Sequence, residues 1–426
     1  MSWDGTGLRS SRRALLAAST ALVLCGGLTG CIGDAETPNP SGPVDTGGER
    51  SVQDEQSLLD RIVAAVRTGD AMDYRAVLGP DDPTFVVTAD LIWRNLVAVA
   101  PDEFTLTASA RREPVGSDRR RLFSADVAAT ETTLGWRLPG QSRTALCTVW
   151  LTLAGQGEDL RWCGTTDRPA QIPGASALPV PIWWTEPVLV DRADRVVVIR
   201  SAGVSPPSGS AWPTLARSAR DQATRHLPDH RTDVAVVEVP GSAVGFTTAT
   251  GQPQAMALAA MTVSAGPDPR NAPVTVVLNP ATAEQTAARC GLVLTHELVH
   301  AVLDAPARPS PLWIEEGIAD AAAFDAYPKS AEAELSRLVT GLDGRSPRLP
   351  ADADFTPRAA DLDQTYALAW TACLFVVEEQ GGWPALVRVD DQLAEDPEHA
   401  WWRTFGQSSV RGFEHAWGGW LRGRAG

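Results

Sequence analysis

Residues 282–302, with the sequence TAEQTAARCGLVLTHELVHAV, are the most informative part of the chain. Thr282 followed by Gln285 three positions later is the pattern of a capping box, in which each side chain bonds the backbone of the other. The pattern predicts a helix that starts at Thr282 and continues until Pro306 ends it. Its apolar residues predict that the helix is packed into a core.

Two of the six histidines of the chain lie on this helix, in the sequence HELVH at residues 296–300. His296 and His300 are four positions apart, so their imidazoles project from one face of the helix about one turn apart. That spacing lets both rings bind a single zinc ion. Glu297 lies beside them and is placed to accept a proton from zinc-bound water rather than to bind the metal.

A second motif follows downstream, WIEEGIAD at residues 313–320. The order HExxH and then W-x-x-E-G-x-A resembles the gluzincins, which are thermolysin-like and aminopeptidase-like zinc peptidases, and most closely the peptidase-MA-like group. The resemblance implies that Glu316 is the third zinc ligand and that Glu297 is the general base. It also implies that Asp320 orients a zinc-binding histidine through the second ring nitrogen. Glu315 remains an alternative third ligand.

The resemblance covers about residues 181–426. Aminopeptidase-type gluzincins have a catalytic tyrosine in a helical stretch, and Tyr366 occupies such a stretch here, which implies that it donates to the oxyanion of the attacked carbonyl. The alternative is a tyrosine that anchors a helix in the core, and His399 and His415 are weaker candidates for the same role. The strand at residues 274–279 is expected to be the edge strand that pairs with extended substrate.

The charge of the chain argues against nucleic acid as a partner. Its 52 acidic and 37 basic residues give a formal net charge of -15. The chain has no block of basic residues, so it lacks the electrostatic footprint that contacts a phosphate backbone. The expected partners are a peptide or protein substrate and a membrane surface.

Residues 1–30 resemble a bacterial export signal. Arginines precede an apolar stretch at residues 14–25, which is too short to span a bilayer as a helix. The sequence LTGC at residues 28–31 resembles the lipobox of bacterial lipoproteins, which implies that Cys31 is lipidated and anchors the mature protein to the extracytoplasmic face of the cell membrane. An ordinary signal with an incidental cysteine is the alternative. Residues 11–16, SRRALL, also resemble a twin-arginine signal, so the export route stays open.

Composition divides the mature chain into four parts. Residues 31–50 lack the apolar content to fold and are expected to be a flexible tether. Residues 51–168 are predicted to be a small α+β domain, residues 169–187 a proline-rich connector, and residues 188–426 the zinc metallopeptidase-like domain. The overall fold class is therefore predicted to be α+β.

Local patterns suggest the architecture of the two predicted domains. The first opens with an amphipathic helix and continues in short strands, the earliest at Val86 and Val87, and it is similar to the cone-shaped fold of the nuclear-transport-factor-like superfamily. The second should begin with a mixed sheet and become mainly helical from Thr282 onward.

The mature chain has an even number of cysteines besides Cys31. Cys147 and Cys163 flank a predicted hairpin, so a disulfide between them is expected, and Cys290 with Cys373 is the pair that remains. Four cysteines allow three pairings. A zinc-thiolate cluster is the rival, but no C-x-x-C spacing favours it.

Two functions from different classes agree with these observations. The first is a membrane-anchored, extracytoplasmic zinc metallopeptidase that hydrolyses peptide bonds with metal-activated water. The second is a binding or envelope-organising lipoprotein that keeps a gluzincin fold without cleaving peptides. The sequence favours the enzyme because the set His296, Glu297, His300 and Glu316 is intact.

Overall fold

A computed structural model describes residues 51–123, 126–167, 177–227, 233–342, 345–356 and 361–424. The predicted export signal, the tether and the lipidation site Cys31 lie outside these residues. Helices and two sheets together make the fold a mixed α+β structure, as the sequence predicted. Within the described part of the chain, no helix has both the length and the apolar sequence needed to cross a membrane.

The first part of the chain forms an antiparallel sheet of four strands, in which each strand pairs with the next one along the chain. Three helices precede this sheet. Helix α1 begins at a capping box of Ser51 and Asp54 and buries Leu58, Leu59 and Ile62. The elements are α1 (Val52–Thr68), α2 (Ala71–Ala76), α3 (Pro83–Val99), β1 (Glu103–Pro114), α4 (Ser117–Arg120), β2 (Val127–Arg137), β3 (Ala145–Ala154) and β4 (Arg161–Gly164).

The strand predicted at Val86 and Val87 is wrong, because both residues lie in α3. The Asp82 side chain caps this helix by accepting from two backbone N–H groups, and Pro83 occupies the first turn. An aspartate cap followed by proline is a strong helix start, and it outweighs the preference of two valines for a strand.

The second sheet has five strands in the order β5-β6-β7-β9-β8. Its central strands are parallel, whereas both outer pairs are antiparallel. The edge strand near the metal-binding motif is therefore β8, and the prediction that residues 274–279 form that edge is wrong, because β8 folds back antiparallel on β9 and covers it. The elements are α5 (Ile182–Thr185), β5 (Val188–Ala193), β6 (Val196–Ser201), α6 (Trp212–Arg225), β7 (Ala235–Val239), α7 (Ala243–Thr250), β8 (Ala260–Ser264) and β9 (Val274–Leu278).

The second sheet is buried on both faces, because successive side chains of a strand point to opposite sides. Val196 and Val198 belong to the hydrophobic cluster that contains α6 and the C-terminal helices. Val197 belongs to the other cluster, which contains the first sheet and the buried Trp183 and Trp184 of α5. Residues 182–184, at the end of the predicted connector, are thus packed in a core to which both predicted domains contribute.

The last part of the chain is helical. Helix α10 (Leu312–Ala326) packs against both α9 (Ala287–Leu303) and α12 (Leu362–Glu379), and α9 also packs on α6 and the second sheet. The elements are α8 (Pro280–Ala283), α9 (Ala287–Leu303), α10 (Leu312–Ala326), α11 (Pro328–Leu342), α12 (Leu362–Glu379), α13 (Gly382–Glu395) and α14 (Val410–Gly423).

The metal-motif helix starts later than the capping-box pattern predicted. Its cap is Thr286, whose hydroxyl accepts from the Arg289 N–H at 3.3 Å. The Thr282 hydroxyl instead donates to the carbonyl of Ala259 at 2.8 Å and so ties the short helix α8 to the sheet. The side chain of Thr282, which the local pattern predicted to cap the helix, therefore makes a tertiary hydrogen bond instead.

The disulfide predicted between the first two cysteines is wrong in this structure, where both are buried free thiols. Cys147 lies near the start of β3, opposite Leu134 of β2. Cys163 lies on β4, whose pairing with β3 involves the last residues of β3, where Trp162 faces Leu153. The two cysteines therefore occupy distant positions along the hairpin.

The second predicted disulfide is wrong for a similar reason, because its two cysteines are buried free thiols with different neighbours. The Cys290 thiol lies 2.9 Å from the carbonyl oxygen of Thr282, and burial raises its pKa to about 11. Cys373 packs against α10 near the carbonyl of Ile314. Both thiols fill core space between elements, as small apolar groups do.

Candidate metal centre

Helices α9 and α10 bring three predicted ligands together. His296 Nε2 and His300 Nε2 are 3.1 Å apart. Glu316 Oε2 lies 3.2 Å from the first of these nitrogens and 3.4 Å from the second. The three atoms form a nearly equilateral triangle, and the three residues could hold a metal ion between them.

Burial makes this cluster energetically unfavourable without a cation. His296 is 4% exposed, His300 1% and Glu316 0%. Neither carboxylate oxygen of Glu316 has a hydrogen-bond partner among the described residues. A buried carboxylate without a donor is strongly unfavourable unless a positive charge neutralises it, so the donor set suits a bound metal ion.

A second carboxylate orients the first histidine. Asp320 Oδ1 lies 2.8 Å from His296 Nδ1, one helical turn after Glu316 on α10. This contact leaves Nε2 of the same ring facing the triangle. The structure thus places Asp320 at the position that the resemblance implied, against the outer nitrogen of a histidine ligand.

The structure separates the two adjacent glutamates of α10. Glu316 faces the Nε2 atoms of both histidines, whereas Glu315 Oε1 lies 3.4 Å from His300 Nδ1, on the far side of that ring. The group that could hold a metal contains Glu316 and not Glu315. Geometry therefore favours Glu316 as the third ligand, and Glu315 contacts a ligand from outside.

The charges of the cluster are strongly coupled. Burial opposes the charged form of His296, but the carboxylates of Asp320 and Glu316 outweigh it and raise its pKa to about 9. Burial likewise opposes the charge of His300, whose pKa the neighbouring glutamates hold well above the usual value. Burial would raise the pKa of Glu316, yet the two imidazoles lower it. The site attracts positive charge, from protons or from a metal.

Glu297 directly follows His296 on α9, and its side chain contacts β8. It is completely buried, and the Thr262 hydroxyl donates to its Oε2 at 2.6 Å. The same hydroxyl is 3.0 Å from the backbone carbonyl of Glu297. Sequence reasoning missed Thr262, because it lies 35 positions earlier in the chain and no local motif marks it.

Tyr366 borders a cavity that His296 and Asp320 also line. A cavity of about 390 Å³ has His296, Asp320 and Tyr366 in its wall, together with apolar side chains of α9 and α10. Tyr366 itself is 1% exposed, and its ring meets the ring of Phe355 edge to face at 5.3 Å. His399 and His415, the weaker candidates, do not line this cavity.

Close packing of α10 against α12 explains the glycine of the second motif. A Cβ atom at Gly317 would lie 2.5 Å from the Ala369 carbonyl oxygen and 2.5 Å from Cys373 Sγ. Such distances are far below van der Waals contact, so only glycine allows this approach. Trp313 anchors the start of the same helix against Trp401, with ring centroids 5.1 Å apart.

Comparison with known proteins adds no family assignment: no family model and no curated protein matches this chain. The function of the chain is therefore inferred from the geometry of the site and from the motifs that build it.

Proposed function

We propose that this protein is a zinc-dependent metallopeptidase that hydrolyses peptide bonds, with His296, His300 and Glu316 as the zinc ligands. From the N-terminal sequence alone we also propose that it acts outside the cytoplasm, anchored to the membrane through Cys31. The observation on which the proposal depends is the buried triangle of two imidazole nitrogens and one carboxylate oxygen, with Glu297 as the residue that follows His296 on the same helix.

The size of the triangle favours zinc. Zinc in proteins is commonly tetrahedral, with nitrogen and oxygen ligands at about 2.0–2.2 Å, so ligands of one ion are about 3.3–3.6 Å apart. The three edges measured here are 3.1, 3.2 and 3.4 Å. Two histidines and one glutamate are one of the three-ligand sets that catalytic zinc sites use, with a further position left for water or substrate.

The remaining residues suit hydrolysis. Zinc, when bound, lowers the pKa of a coordinated water to about 7 and polarises a carbonyl oxygen. The Glu297 carboxylate accepts the proton of the attacking water and passes it to the leaving amine. Asp320 holds His296 in the tautomer that presents Nε2.

Two further features would serve substrate. The edge strand β8 has the candidate base beside its central residue Thr262, so a peptide added to this edge would lie next to Glu297. Tyr366 is proposed to donate to the oxyanion, since its side chain borders the cavity that His296 also lines.

The test compares wild type, Glu297→Gln and the double variant His296→Ala, Glu316→Ala, with the exposed Glu284→Gln as a matched control. Zinc content is measured by plasma mass spectrometry and cleavage with a broad peptide library. We expect about one zinc per chain in wild type, Glu297→Gln and the control, and none in the double variant. Cleavage should occur only in wild type and the control.

The possible failures differ in meaning. Wild-type cleavage by Glu297→Gln would exclude the proposed base. Zinc binding without cleavage of any library peptide would favour the non-catalytic binding protein. A wild-type protein that binds no zinc after reconstitution would exclude the metal centre itself.

A further inference from the structure

We propose that Thr262 of β8 is a positioning residue for the reaction, which holds the carboxylate of Glu297 in the orientation needed to accept a proton. The inference rests on the proposed function, because it assigns a role to a neighbour of the candidate base. It adds a residue from the sheet to a site that otherwise consists of helical residues.

The contact is short and buried. Thr262 Oγ1 lies 2.6 Å from Glu297 Oε2, and the two residues are 5% and 0% exposed. The hydroxyl has one hydrogen, and of its two acceptors on Glu297 the carboxylate oxygen is nearer than the backbone carbonyl at 3.0 Å. A hydroxyl that donates to a carboxylate at such a distance makes a strong, charge-assisted hydrogen bond.

The strand fixes the position of the donor. Thr262 pairs with Val276 in the antiparallel ladder of β8 and β9. Its neighbours Met261 and Val263 are buried in the cluster on the opposite face of the sheet. Because side chains alternate along a strand, these two anchors turn Thr262 toward α9. The branched Cβ of threonine also restricts rotation of the hydroxyl.

The geometry restricts the carboxylate in turn. With Oε2 bonded to a hydroxyl on a rigid strand, rotation of the Glu297 carboxylate about Cγ–Cδ is limited. A general base must lie within hydrogen-bond reach of the proton that it accepts, and small displacements of reacting groups reduce rates strongly. Thr262 therefore lowers the barrier by orienting the candidate base.

A purely structural role is the competing explanation, since any buried carboxylate needs donors. The chain contains a matched case far from the site: Thr130 of β2 donates to the buried Glu55 at 2.9 Å. Removal of that hydroxyl disturbs a buried threonine–glutamate contact without changing the candidate base, although the Glu55 carboxylate also accepts from Arg112 at 2.9 and 3.1 Å. Thr130→Val is therefore the control for the effect of such a loss on stability alone.

The experiment measures kcat, KM and zinc content for the full chain with Thr262→Val, Thr262→Ser and Thr130→Val. We expect Thr262→Val to bind zinc as wild type does and to lose about tenfold to a hundredfold in kcat with little change in KM. Thr262→Ser keeps the hydroxyl and should recover most of the rate, whereas Thr130→Val should keep the wild-type kcat. A crystal structure of zinc-loaded Thr262→Val should show the Glu297 carboxylate rotated.

The inference is overturned if Thr262→Val, or Thr262→Ala should the valine variant not fold, retains the wild-type kcat. It is also overturned if Thr262→Ser loses as much kcat as the valine variant, because the hydroxyl would then not be the cause. A wild-type protein that cleaves no peptide would overturn the proposed function and this inference together, so the two failures are distinct.

Discussion

The smallest unit that explains the site is the carboxylate–histidine pair. His296 donates or accepts through two nitrogens, and the contact of Nδ1 with Asp320 at 2.8 Å decides which nitrogen faces the triangle. A carboxylate in this position orients the ring and increases its basicity as a ligand. Glu315 approaches His300 from outside in a similar way, at 3.4 Å. Both histidines thus have an acidic neighbour from α10.

Substitution of Asp320 by Asn should weaken the metal site without removing a ligand. Asparagine keeps the shape of the side chain, but the negative charge that faces His296 Nδ1 is lost. We therefore expect zinc affinity to fall about tenfold to a hundredfold. Competition with a chromophoric chelator measures this change. Asp325→Asn, on the same helix but in contact with His226 and Gln222 instead, is the control and should bind zinc as wild type does. Unchanged affinity in Asp320→Asn would contradict the assigned role.

At the scale of elements, the site depends on how closely two helices approach. Helix α10 supplies Glu316 and Asp320, and its contact with α12 is the most extensive between two helices of the described chain. Gly317 lies between these two acidic residues and faces the Ala369 carbonyl. Any movement of α10 away from α12 would therefore shift the third ligand and the orienting carboxylate together.

Gly317→Ala should destabilise the protein although alanine is the better helix former. The added methyl group would overlap backbone and sulfur atoms of α12, and overpacking of this kind costs about 1–3 kcal/mol. We expect a lower Tm and weaker zinc binding. Gly341→Ala is the matched control, since a Cβ atom there meets nothing within 4 Å and the residue also lies in a helix, α11. Equal melting of both variants would show that the close approach is not restrictive.

At the scale of the whole molecule, a buried carboxyl lies where the two predicted domains meet. Glu238 of β7 is 4% exposed and accepts from the Ile182 N–H at the start of α5. Burial, opposed by this hydrogen bond and aided by the charge of Glu186, raises its pKa to about 8. The folded protein keeps this proton up to about that pH, whereas the unfolded chain releases it near the ordinary value of 4.5.

Stability should therefore fall with rising pH between those two values, because the native state binds one more proton than the unfolded state there. The slope from this one group is at most about 1.4 kcal/mol per pH unit. Glu238→Gln removes this titration. The difference in Tm between the variant and wild type should therefore rise from about pH 5.5 to about pH 7.5, a range that lies between the two pKa values. The exposed Glu398→Gln should show no such trend. A constant difference between Glu238→Gln and wild type would contradict the prediction.

Local sequence was sufficient where neighbours in the chain decide the structure. The α+β class and the helix that presents His296 and His300 on one face follow from periodicity and spacing that need no distant contact. Glu316 is assigned from the resemblance of the second motif to the gluzincins. Four other features depend on residues far apart in sequence. The cap of α9 is at Thr286 because Thr282 bonds the sheet, and β8 rather than β9 forms the edge because a hairpin reverses the order. The cysteines stay apart, and Thr262 reaches Glu297 across 35 positions. Hydrogen bonds and strand pairing of this range form only when the chain is packed, so no local pattern records them.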